Sequence, residues 1–224
     1  MIPKTMQMKL DEGRQYRDIN VSSFERRAEG ENEKVVSGYA TTFNEPYELY
    51  RDNYGGYTFI VREQVDPHAF DETDMTDVIM QYNHEGRVFA RNSNGTLKLN
   101  ADDHGLHIRA NLGGTEIGRQ LYEEIEGGYT DKMSFGFRVG KDKREETEET
   151  DAESGTTTVT VLRTILSISK LYDVSAVSIP ANDGTSISAR NFGEGVVEEV
   201  RKEIAERQRR EKQKQKIKIL TEVL

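Results

Sequence analysis

The 224 residues carry 40 acidic and 31 basic side chains, a net charge of −9, and no cysteine. Disulfides, thiolate metal sites and a thiol nucleophile are therefore excluded. The acidic balance argues against nucleic acid as a partner, which calls for a basic patch. With 34% apolar residues, the expectation is an apolar centre flanked by solvated ends. No run of about 18 apolar residues suggests a membrane span, and no apolar signal-peptide stretch follows the charged start MIPKTMQMKLDEGRQYRD.

Residues 1–33 are polar and charge-dense, and read as an arm or a loosely held first strand. From 34 to 192 the character changes to a single domain of short β-branched and aromatic runs. Examples are VVSGYATTF (35–43), YTFIVRE (57–63), DVIMQYNH (77–84), KMSFGFRV (132–139), TTTVTVLRTILSI (156–168) and LYDVSAVSI (171–179). Their alternation and spacing predict a mostly antiparallel sheet curled into a closed or partly closed barrel, with flanking helices. One helix is predicted over TEIGRQLYEEIEGG (115–128), where Ile117, Leu121 and Ile125 share a face and Gly127-Gly128 stops it. A shorter one is predicted after Pro67. The charge run 141–155 reads as a solvated, mobile hairpin loop. Residues 193–224 read as a charged helical tail with apolar positions at Val196, Val197, Val200 and Ile204. Its removal is expected to cost the core nothing.

Three residues stand where chemistry is possible. His84 ends the DVIMQYNH run, on the strand face of Val78, Met80 and Tyr82, beside a Glu85-Gly86 turn. Ser134 lies opposite the apolar face of Met133, Phe135, Phe137 and Val139, with Gly136 keeping space open beside it. A nucleophile needs such access, and an ordinary strand serine fits as well. Asp173 lies in a strand apolar on both faces, where a carboxylate is costly unless paired or hydrogen-bonded. It either meets a structural donor or orients a histidine. His104 and His107 flank a predicted turn and His68 opens a predicted helix, which suits solvated roles. A metal hydrolase built on His104, His107 and Asp102 or Asp103 lacks a supporting helix and a third histidine. No metal or cofactor is expected.

VVSGYATTFN (35–44), QYNHE (81–85), KMSFGF (132–137) and SIPAN (178–182) occur in one order along the chain. Together they resemble the prohead proteases of tailed bacteriophages, which are related in fold to the herpesvirus assemblins. The resemblance runs from about 35 to 192. It implies a β-barrel surrounded by helices and a serine endopeptidase that cleaves the scaffolding segment of the major capsid protein, and itself, during maturation. That work is expected in the host cytoplasm, inside the assembling prohead, with a homodimer possible. It maps the nucleophile to Ser134, the general base to His84 and an orienting acid to Asp173. A Ser-His dyad with a structural Asp173 stays open. Ala181 and Asn182 are the oxyanion candidates, since the turn they share follows the Asp173 strand. The last 30 or so residues are expected to bind coat or scaffold and to be trimmed. A non-enzymatic capsid scaffold is the competing reading, although long helices rather than short strands would then dominate.

Overall fold

The computed structural model describes residues 8–10, 12–19, 24–30, 33–178 and 183–222. Among these, eleven strands and three helices form a mostly β architecture. The strands are β1 (Gln15–Ile19), β2 (Glu25–Gly30), β3 (Glu33–Thr42), β4 (Tyr47–Tyr54), β5 (Tyr57–Val65) and β6 (Ile79–Tyr82). After them come β7 (Glu85–Arg91), β8 (Leu97–Ala101), β9 (Gly105–Asn111), β10 (Lys132–Thr150) and β11 (Thr157–Val177). A 3-10 turn at Asn92–Asn94 and the helices α1 (Glu116–Glu126) and α2 (Asp183–Glu222) complete the fold.

The strands form two sheets. One runs β1-β10-β11-β5-β4, with β6 and β7 attached through β11, and the other runs β2-β3-β9-β8. Their apolar faces meet in one core, where Val36, Ala40, Leu106 and Ile108 join Phe135, Val174 and Ala176. Leu121, Tyr122 and Ile125 of α1 cover the same core. Thr115 caps α1 by accepting the Gly118 N–H at 3.1 Å, which satisfies one of its free amides.

Three expectations are corrected here. The sheets are not closed into a barrel among the described residues: β1 and β4 end the larger sheet, and β2 and β8 the smaller. The long strand β11 pairs in parallel with β5 through Thr157–Ile165 and with β6 through Asp173–Ala176. It thus serves two neighbours in turn instead of passing the ladder round a ring. The predicted loop at 141–155 is mostly strand, because β10 continues to Thr150 against β11. The backbone ladder forms there without any apolar requirement on side chains that face water. Only the tip turns, where Asp151 accepts the N–H groups of Glu153 and Ser154 and Gly155 adopts φ +67°. The helix predicted after Pro67 is a series of turns.

Helix α2 divides at Ile204. Val196, Val197, Val200 and Ile204 pack on Phe59, Val61, Val159 and Val161 as a second apolar cluster. Arg144–Glu199 and Arg207–Glu148 ion pairs at 2.9 and 2.8 Å flank it, with Arg201 on Asp52. The first half of this segment is therefore core, contrary to the expectation that its loss is free. Beyond Ile204 the described side chains are exposed through Ile219. Ile204→Ala should cost about 2–4 kcal/mol, whereas Ile219→Ala should stay within about 0.5 kcal/mol. Urea unfolding midpoints with unchanged slopes check both.

Candidate active site

The β6–β7 turn presents His84. Asn83 and His84 both take left-handed backbone, at φ 51° and 59°, a conformation that non-glycine residues hold only when the surroundings insist. Those surroundings are the end of β11, the residue after it and Lys9. The Asn83 N–H donates to the Ala176 carbonyl at 3.0 Å and the Asn83 side-chain oxygen accepts the Ser178 N–H at 3.3 Å. The His84 N–H donates to Ser175 Oγ at 3.2 Å, and Lys9 Nζ donates to the His84 carbonyl at 2.8 Å. The predicted strand-end position is thus a turn, with β6 ending at Tyr82.

Ser134 sits on β10 between two ladders, opposite Ser175 of β11 and Asp18 of β1. Asp173 lies two residues before Ser175, on the same face of β11, opposite Gly136. These registers bring three predicted residues into one line. His84 Nδ1 lies 2.5 Å from Asp173 Oδ1 and Nε2 lies 2.6 Å from Ser134 Oγ. Ser175 Oγ donates to the same Asp173 oxygen at 3.1 Å. All three members of the line are at most 1% exposed.

Burial raises the Asp173 carboxyl, but the His84 charge and the hydrogen bonds from His84 and Ser175 outweigh it, so it is held below the ordinary carboxylate range. Its Oδ2 has no hydrogen-bond partner among the described residues and faces Gly136. A Cβ at position 136 would stand 2.4 Å from that oxygen and 2.8 Å from the Tyr16 ring. The space beside Ser134 is therefore real, but it is filled by the carboxylate and a tyrosine. Ser134 is also not on an open face. Strand β1 covers it, and Tyr16 packs its ring on the His84 imidazole at 4.5 Å between centroids.

Ser134 has one proton and two acceptors in reach, His84 Nε2 and the Arg17 carbonyl oxygen, the latter at 2.9 Å. Donation to Nε2, with Nδ1–H donating to Asp173, is the arrangement in which an imidazole takes the hydroxyl proton as a nucleophile forms. The other histidines lie apart. His68 pairs with Asp71 at the surface, and His104 and His107 flank the Tyr39 ring. Asp102 accepts the His104 and Gly105 N–H groups and the Tyr39 hydroxyl. The oxyanion candidates Ala181 and Asn182 lie outside the described residues.

The caudovirus prohead serine protease family matches residues 22–199. The chain belongs to that family. It is a serine protease of prohead maturation. Among curated proteins and among solved structures, no match to this protease is found. The family region covers Ser134, His84 and Asp173, while β1 precedes it.

Sequence reasoning missed Ser175, Tyr16 and Arg17. Ser175 was visible as the second polar position on the Asp173 face of a buried strand. Nothing local marks Tyr16 or Arg17, whose contacts are made across the sheet. Gly136→Ala should destabilise the protease by about 1–3 kcal/mol through overpacking, read from the urea midpoint. A lowered carboxyl contributes stability that is full above its unfolded value, about pH 4, and is lost as pH falls through the folded value. Unfolding midpoints should therefore drop on acidification below about pH 4, and drop less steeply in Asp173→Asn.

Proposed function

We propose that Ser134 is the nucleophile, His84 its general base and Asp173 the acid that fixes the imidazole. The single observation that supports this is the unbroken line from Asp173 Oδ1 through both ring nitrogens of His84 to Ser134 Oγ. With Nδ1–H held by the carboxylate, Nε2 is left as the proton acceptor facing the hydroxyl. Ser134 then attacks a peptide carbonyl, His84 hands the proton to the leaving amine, and water hydrolyses the acyl-enzyme. The Asp173 charge stabilises the imidazolium between those steps.

The substrates in this reading are the scaffolding segment of the major capsid protein and the protease itself. Its place is the host cytoplasm, inside the assembling prohead. Ala181 and Asn182 are proposed to contribute oxyanion donors. A purely scaffolding role is set aside by the family.

Ser134→Ala and His84→Ala should each lower capsid-protein cleavage by about 10⁴–10⁶-fold. Asp173→Asn should lower it by about 10⁴-fold. Timed gel electrophoresis of coat protein with each variant gives the rates. Full-speed processing by Ser134→Ala would show that the nucleophile lies elsewhere.

A further inference from the structure

Strand β1 lies directly alongside the strand that carries Ser134. It runs antiparallel to β10 with Arg17 opposite Phe135 and Asp18 opposite Ser134. It is an outer strand of the sheet, so an extended peptide replacing it would find the same ladder on β10, the usual way a sheet edge takes a peptide. Its Arg17 carbonyl is the one that Ser134 Oγ reaches.

The Arg17 side chain enters a built pocket. Its Nε and Nη2 lie 2.5 and 3.0 Å from the two carboxylate oxygens of Glu63, and Nη2 also donates to Gln15 Oε1 at 2.9 Å. Glu63 is fully buried and Arg17 is 1% exposed. The Tyr47 hydroxyl and Arg163 Nη1 hold the same carboxylate at 2.6 and 2.8 Å, and Arg163 Nε lies 2.5 Å from Asp142. Without Arg17, two carboxylates would face the single guanidinium of Arg163. A buried charge of that kind calls for a cation, and the planar fork fits the carboxylate in a bidentate way.

We propose that β1 occupies the substrate strand and that Glu63 forms the pocket for an arginine immediately N-terminal to the scissile bond. Arg17–Asp18 is then a bond this protease cuts. The inference rests on Ser134 being the nucleophile. Ser134 Oγ bonds to the Arg17 carbonyl carbon as its proton passes to His84. The C–N bond to Asp18 breaks and His84 protonates the new amine. Water hydrolyses the Arg17 ester, releasing a carboxylate and regenerating Ser134.

The test uses the full chain and peptides of sequence GRQYRDINVS, with Arg, Gln or Leu at the position of Arg17. The expected result is cleavage after the arginine, about 10- to 100-fold faster than after Gln or Leu, the size of one charge-assisted contact. Mass spectrometry of the incubated chain should also find a new N-terminus at Asp18, absent from Ser134→Ala. Equal rates on the three peptides, or an intact arginine bond in both peptide and chain, from an enzyme that still cuts capsid protein would overturn the inference and leave the nucleophile standing. No cleavage of any protein or peptide, with the parent indistinguishable from Ser134→Ala, would overturn both.

Discussion

A carboxylate sealed inside a sheet must be met by donors, and the arrangement around Asp173 follows from that requirement. Two donors converge on one of its oxygens, the His84 ring and the Ser175 hydroxyl. Ser175 also accepts the His84 backbone N–H, so one hydroxyl ties both partners of the pair together. The imidazole is held at its backbone, at Nδ1 and across its face by Tyr16. What remains is Nε2, aimed at Ser134. The β6–β7 turn accepts left-handed backbone at two non-glycine residues because four hydrogen bonds fix it in place.

Gly136 shows how sterics and electrostatics are settled together. Its missing side chain leaves room for the Asp173 carboxylate and the Tyr16 ring side by side. The same strand, two residues earlier, supplies Ser134. One pleat of β10 therefore carries the hydroxyl and the gap that the buried acid needs, and the alternation of a strand delivers both to one face.

Much of this was legible in the sequence. Alternating runs gave the strands, the Leu121 and Ile125 stripe gave α1, and the cost of a buried charge marked Asp173. What the sequence hid is non-local. Whether a seven-stranded sheet closes depends on which neighbours β11 takes, and no run of residues states that. The charged half of β10 shows no apolar alternation, since both its side-chain faces meet water, so period-two patterning is silent there. Val196 through Ile204 were visible as an apolar stripe, but the Val159–Val161 surface beneath them is set by tertiary packing. Tyr16 and Arg17 lie in a segment whose composition reads as solvated. Their burial comes from pairing with β10 and from Glu63, nearly fifty residues on.

The outer position of β1 has a kinetic side. A strand joined to the same chain competes for its groove at an effective concentration in the ~mM range. Any foreign strand must be presented at a comparable local density to displace it. A dilute molecule would then spend its time self-capped, its β10 edge shielded from stray pairing. A confined and crowded compartment would shift that competition toward exchange.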